Sequence, residues 1–336
     1  MNSLFLRAVF LQYSEIVGAG IFVLPILFAN NNPLMTIGYL FLMAVFVYLI
    51  NYLYITVILK TKGDHQLAGY AHLYLGPIGK IIALLSLCLL GLGALAIYIQ
   101  LGSQFFSTII PNVSVSLSKI IFVFLISLFH LLLQKFAKSR IHFLSLIYLL
   151  ITVFIAVYSL NYSPINFQNP IDSSIFGTLI FSLTGFAILP EVEETLRHTQ
   201  NKSLHLKTAS LLGVLLAVVT YALFSFSVIR IAGPNLTENA LTSLGQVPPL
   251  IIILLCLFGF FATFKASLNF LNIFKEILYR DLKITKNKSF IFSTAIVIIP
   301  YLLTAIPILS VISFTGEITL TLVAILIVGI FLRLSK

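Results

Sequence analysis

The chain has 336 residues, of which 60% are hydrophobic and only 9% charged, and its mean hydropathy is +1.09. A water-soluble fold needs far more polar surface, so this composition excludes the soluble globular class and implies a protein of many membrane spans. The formal charge of +10 does not imply a nucleic-acid partner, because its placement along the chain has a better reading, given below.

Apolar runs set against charged or Pro/Asn-rich breaks predict ten transmembrane helices and an all-α integral membrane fold. The first span, near residues 8–30, is too long and is followed by too many others to be a removed signal peptide. It contains "SEIVGAGIFVLP" (14–25), with a carboxylate, two glycines one residue apart and a proline, none of which suits an ordinary lipid-spanning helix. The second span falls near 34–59. The third, near 77–107, carries Tyr98 in "GALAIYIQLG". The fourth and fifth fall near 118–135 and 141–161. The sixth, near 174–198, carries "FSLTGFAILPEVEE" (181–194). The seventh lies near 206–231, and the loop after it, "AGPNLTENALTSLGQVPP" (232–249), is expected to hold a short helix on the outer face. The eighth, near 249–282, has Lys265 deep inside it. The ninth lies near 290–307, and the tenth, near 309–333, includes Glu317. The remaining loops are too short for a soluble domain, so residues 1–336 read as a single transmembrane domain.

With the N-terminus cytoplasmic, all of the Lys and Arg residues except Lys119, Arg230 and Lys265 fall on the cytoplasmic side, among them Lys60, Lys62, Lys135, Lys138, Arg140, Lys202, Lys207, Lys283, Lys286 and Lys288. The positive-inside rule then places both termini in the cytoplasm, in what is expected to be the plasma membrane. The basic residues are orientation signals and contacts to anionic lipid.

"GIFVLP" at 20–25 has a counterpart in "GFAILP" at 185–190, about half the chain away. Each copy opens a five-span half, 1–162 and 163–336, and an odd number of spans per half inverts the second copy in the membrane. Paired Gly/Pro-interrupted spans in inverted halves point to the binding site of a secondary transporter. Unwound backbone at membrane depth is tolerated only where it is buried in protein or lines a polar cavity. A break near Gly18-Ala19-Gly20 frees amide donors at a helix amino end, which suit a carboxylate. A break near Thr184-Gly185-Phe186 frees carbonyls that suit an ammonium. Together they describe a site for a zwitterionic amino acid. Close packing by Gly18 and Gly20 alone is the plainer alternative.

These segments resemble a known group. "VGAGIFVLP" is similar to the first-helix motif of the amino acid–polyamine–organocation superfamily, and "FSLTGFAILPEVEE" to the sixth helix of its amino acid/auxin and aromatic amino acid permease branches. "FATFKASLNFLNIFKEILYRDLK" (261–283) resembles their long eighth helix. The resemblance implies the leucine-transporter fold, with five-plus-five inverted repeats, helices 1 and 6 broken at mid-membrane, and substrate held between helices one, three, six and eight. Carried over by position, Gly18, Ala19, Gly20 and Ile21 would meet the substrate carboxylate. Ser182, Thr184 and Gly185 would meet the amine, Phe186 would be an aromatic lid, and Tyr98 an occluding tyrosine or else an ordinary core tyrosine. Sodium-driven members hold an ion with a hydroxyl pair on helix eight, where this chain has Lys265 and Ala266. That replacement implies proton coupling or sodium independence. Ten spans also match the membrane subunit of spore-germination nutrient receptors, which sense rather than carry.

Glu15, Lys265 and Glu317 are the ionisable residues well within spans. Insertion of such a charge at mid-membrane costs about 2.5–3.5 kcal/mol, so each should face a cavity or a partner. All three are candidates for coupling or gating, with structural ion pairing or solvation as the alternative. If Glu15 and Lys265 meet across helices one and eight, protonation would loosen the pair. Glu317 would line an outer vestibule. Glu191, Glu193 and Glu194 read as solvated at the cytoplasmic face, with Glu191 open to the inner pathway. No catalytic cluster, dinucleotide loop, Walker motif or metal-ligand grouping is expected, and Cys88 and Cys256 sit in apolar runs that imply no disulfide framework. The expected function is a secondary amino acid permease, leaning towards neutral or aromatic substrates, with no cofactor and a proton as coupling ion. The alternatives are a non-transporting amino acid sensor and, less compatible with the repeat, a membrane enzyme.

Overall fold

The computed structural model describes residues 3–132, 141–162, 175–233, 236, 239–241, 243–244 and 247–334. Lys135, Lys138 and Arg140, and part of the segment 232–249, lie outside them. All regular structure among the described residues is helical.

The first apolar run forms two helices, α1 (Ser3–Ile16) and α2 (Gly20–Asn30), bent by 58° across the break between them. Then come α3 (Pro33–Lys60), α4 (Leu67–Ile109), α5 (Val115–Leu132) and α6 (Ile141–Ser159). The sixth predicted span is α7 (Ile175–Leu183), a 3₁₀ turn at Phe186–Ile188, and α8 (Leu189–Leu196). The remainder comprises α9 (Lys202–Ala232), α10 (Pro249–Glu276), α11 (Lys286–Ala295), α12 (Ile298–Leu303), α13 (Ile308–Phe314) and α14 (Leu320–Leu334). Proline marks several starts: Pro33 and Pro249 open α3 and α10, and Pro307 precedes α13, positions where its missing amide has no helical partner to lose. Within α4, Gly76 takes φ +73° just ahead of Pro77, so a short interfacial leg turns into the predicted third span at the residue where the apolar run begins.

Among the described residues, seven helical segments are long and apolar enough to cross a bilayer, and α1 with α2 makes an eighth if the bent pair is one span. The fifth and ninth predicted spans fall on shorter helical pieces, α6 and the pair α11–α12.

Two helices organise the packing. Along α4 lie α10, α5, α12, α13 and α14, whereas α9 is surrounded by α1, α2, α3, α6 and α8. Large apolar side chains, including Phe41, Leu85, Phe124, Leu150, Ile298 and Leu302, stand exposed on the outer faces. This is the surface that hydrocarbon would cover.

Candidate functional site

Both interruptions face one small cavity. Its walls are Glu15, Ile16, Gly18, Ala19 and Gly20 from the α1–α2 break, Phe181, Ser182 and Thr184 from the end of α7, Leu90 and Tyr98 from α4, and Phe270 from α10. The cavity volume is about 20 Å³, which is room for a water but not for an amino acid.

At the first break, Ile16 ends α1, its carbonyl accepting from the Gly18 amide at 2.9 Å, and α2 starts at Gly20 with no side-chain cap. The amides of its first turn are donors that the helix itself cannot satisfy. Tyr98 lies over this bend: a Cβ at Gly18 would come 2.9 Å from Tyr98 Oη. At Gly20 a Cβ would collide with the Ser182 side chain, so the glycine is what lets the two breaks touch.

At the second break the hydroxyls are turned along their own helix. Ser182 Oγ donates to the Thr178 carbonyl at 2.8 Å and Thr184 Oγ1 to the Ile180 carbonyl at 2.8 Å. A hydroxyl that has donated its proton offers only lone pairs, so this wall is rich in acceptors. Tyr221 Oη reaches the Ile16 and Ser182 carbonyls, and Gln12 Nε2 donates to the Gly185 carbonyl at 3.0 Å. In α2, Phe22 packs edge-on against Phe105, Phe224 and Phe258 at ring separations of 4.9, 6.1 and 5.8 Å.

Gly18, Ala19, Gly20, Tyr98, Ser182, Thr184 and Glu15 thus meet at the cavity. Ile21 and Gly185 are buried beside it without lining it, and a Cβ at Gly185 would meet Ile16 and Gln12. Phe186 points elsewhere, its ring 6.5 Å from that of Tyr54. Glu15 and Lys265 lie close enough for their charges to interact but form no direct ion pair. Glu15 Oε2 accepts from Asn269 Nδ2 at 2.9 Å, while Lys265 Nζ, buried, has no hydrogen bond and sits 5.6 Å from the centre of the Tyr148 ring. Glu317 is exposed within a π-helical turn at Thr315–Thr319, accepting from Ser313 Oγ at 3.1 Å, and packs against Gly177 of α7.

Gln12, Tyr221, Asn269, Leu90, Phe181 and Phe270 also stand at or beside the cavity, outside the residues expected from the sequence. Gln12 and Asn269 had a signal: each is polar inside an apolar run, three or four residues from Glu15 or Lys265. The aromatic and aliphatic residues had none, being some among many of their kind.

Glu193 and Glu194, expected to be solvated at the cytoplasmic face, are instead held in ion pairs. Arg197 Nη2 lies 2.6 Å from Asp64 Oδ1 and 3.0 Å from Glu193 Oε2, and Lys202 pairs with Glu193. Arg280, at the end of the eighth predicted span, binds Glu194 Oε1 at 2.8 Å and Glu276 Oε2 at 2.7 Å. Asp64, Glu193, Glu194, Arg197, Lys202 and Arg280 line a second cavity of about 260 Å³ beside Thr61, His65 and Tyr70. The bonds from Glu193 and Asp64 hold the Arg197 guanidinium charged well above its ordinary range. Among the described residues no three His, Cys, Asp or Glu side chains gather as a metal site.

Residues 1–274 match the family model of transmembrane amino acid transporter proteins. The chain belongs to that family. No curated protein matches the sequence. Solved transporters share the fold. The structure of Mhp1, a nucleobase-cation-symport-1 family transporter, closed with bromovinylhydantoin bound, is similar over 96% of this chain and 77% of its own, at a TM-score of 0.72 and 13% identity. Inward-facing Mhp1 gives a TM-score of 0.68 over 98% of this chain and 76% of its own, at 16% identity. A manganese transporter from Eremococcus coleocola gives 0.60 at 15% identity, over 98% of this chain and 76% of its own. At such identities the likeness is one of fold. The protein is therefore a membrane transporter and not an enzyme, with the leucine-transporter fold.

Proposed function

We propose that this transporter is a secondary amino acid permease working by alternating access. One observation carries the reading: the bend at Gly18–Gly20 and the acceptor-rich end of α7 at Ser182–Thr184 line the same buried cavity. Helix-start amides on one side suit a carboxylate and hydroxyl and carbonyl oxygens on the other suit an ammonium, with the apolar Leu90, Phe181 and Phe270 left for a neutral or aromatic side chain. The cavity has to expand for such a ligand, which is what a site alternately open to each side requires.

In this reading the chain has ten spans in two inverted halves, 1–162 and 163–336, with both termini cytoplasmic in the plasma membrane. The helices gathered on α9 rock against those gathered on α4. Lys265 stands where sodium-driven relatives hold an ion, so a proton drives transport. Each charge moved down the membrane potential supplies about 2.3 kcal/mol per 100 mV, nearly two decades of accumulation.

The test is uptake of a labelled amino acid panel into proteoliposomes under a proton gradient, a sodium gradient or neither. Accumulation driven by protons and indifferent to sodium is expected. Lys265→Met, which removes the buried ammonium but keeps its length, should abolish the proton-driven component. Sodium dependence, or an unchanged pH profile in Lys265→Met, would reject the coupling assignment. Binding with no uptake of any substrate would turn the reading to a sensor.

A further inference from the structure

The two breaks share one hydroxyl. Tyr221, fully buried in α9, places Oη 2.7 Å from the carbonyl oxygen of Ile16 and 2.6 Å from that of Ser182. Ile16 is the last residue of α1 and Ser182 the penultimate residue of α7, so both carbonyls belong to the set that a continuous helix would have used for its next turn. A tyrosine has one proton to donate. Only one of the two carbonyls can hold a full hydrogen bond from it at any moment. Both residues also line the central cavity, where an arriving ammonium would seek the same oxygens. Gln12 caps Gly185 in the same manner, and its own Oε1 is buried with no partner.

We propose that Tyr221 is a donor switch between the two broken helices, bonded to Ser182 in the empty site and released to Ile16 when a substrate ammonium takes the Ser182 carbonyl. The inference rests on the reading that an amino acid's amine sits at the second break. No proton leaves the tyrosine; only the acceptor changes. Loading of the second break then tightens the hold on the end of α1, the half-helix that has to move for the site to open. Tyr221 is a positioning residue: it competes with substrate for one oxygen and anchors a moving element through the other.

The experiment compares wild type with Tyr221→Phe in proteoliposomes, using labelled L-leucine and L-phenylalanine as probes. The variant keeps the ring and loses the proton. In wild type the ligand exchanges the Tyr221–Ser182 bond for one to Ile16, whose carbonyl already accepts from the Gly18 amide at 2.9 Å, so the exchange recovers only part of what it gives up. The variant makes no exchange. KM should therefore fall about two- to threefold, a part of one neutral hydrogen bond. Thr220→Val removes the adjacent Tyr13–Thr220 bond of 3.1 Å and serves as the control: it should lower the unfolding midpoint without lowering KM. If Tyr221→Phe reconstitutes poorly, ligand-induced stabilisation in detergent gives the same answer, with a larger shift expected in the variant. A KM in Tyr221→Phe equal to or above wild type, or an equal shift in detergent, overturns the switch. If wild type itself neither binds nor carries either probe, the amino acid reading fails and the switch falls with it.

Discussion

Gly18 and Gly20 exclude side chains for different reasons. A Cβ at Gly18 would meet the end of the Tyr98 side chain at 2.9 Å, whereas one at Gly20 would run into the Ser182 side chain and reach its Cα at 3.0 Å. A hydroxyl can be displaced more readily than backbone. Gly18→Ala should therefore sit at the low end of the overpacking range of about 1–3 kcal/mol, and Gly20→Ala at or above its upper end. Unfolding midpoints in detergent check this, with a further expectation: Tyr98→Phe, which removes Oη, restores much of the loss in Gly18→Ala and none of the loss in Gly20→Ala. Lys265 is a different problem at the same scale. A buried ammonium with no hydrogen bond, held against the Tyr148 ring, carries a desolvation cost that a cation–π contact of up to about 2 kcal/mol and the attraction of the Glu15 charge offset only in part. Such a residue is more readily explained by a task than by stability.

At the scale of elements, the broken helices α1–α2 and α7–α8 owe their positions to close backbone approach. Gly177 of α7 and Gly316 of the π-helical turn after α13 touch with no room for a Cβ on either, which fixes α7 against the last span. The face bearing Asp64 and Arg197 is held differently, by charges. Arg280 ties α10 to the end of α8 through Glu194, and Arg197 ties the same end to Asp64. Partly exposed pairs of this kind contribute about 0–1 kcal/mol each, enough to bias an opening without preventing it. Arg280→Gln should therefore raise the rate at which a cysteine at Thr61, on the wall of the adjoining cavity, reacts with a soluble maleimide. The increase should be a few-fold and should shrink in high salt, where wild type itself speeds up. Equal rates in the two backgrounds would mean that the pairs do not latch this face.

For the whole molecule, the division of contacts between α4 and α9 places the central cavity at a seam. Leu90, Tyr98 and Phe270 come from the α4 side, Gly18–Gly20 from the α9 side and Ser182 from α7, which packs against members of both groups, so a shift of one group against the other would change the cavity without unfolding either. The positive-inside rule makes the orientation a testable expectation. In intact cells, with Cys88 and Cys256 replaced, a cysteine at Asn112 between α4 and α5 should be labelled by an impermeant reagent, and one at Lys288 in α11 should be labelled only after permeabilisation. The reverse pattern would invert the topology.

The membrane class, the positions of both interruptions and the site residues nearest them follow from local chemistry: glycine and proline in an apolar run free backbone groups that hydrocarbon cannot satisfy. Gly18, Gly20 and Thr184, beside the breaks, were legible for that reason, and so was the start of the third span at Pro77; Ser182 was reached only through the family resemblance. What no local pattern contains is which side chain answers which freed group. Tyr221, on α9, caps Ile16 and Ser182, Gln12 caps Gly185, and Asn269 takes Glu15 in place of Lys265. Phe186 turns to Tyr54 and away from the cavity because its 3₁₀ turn aims it at α3. These partners lie on different helices, far apart in the chain. Their pairing depends on how helices cross, and a crossing is decided by packing between surfaces that the sequence lists separately.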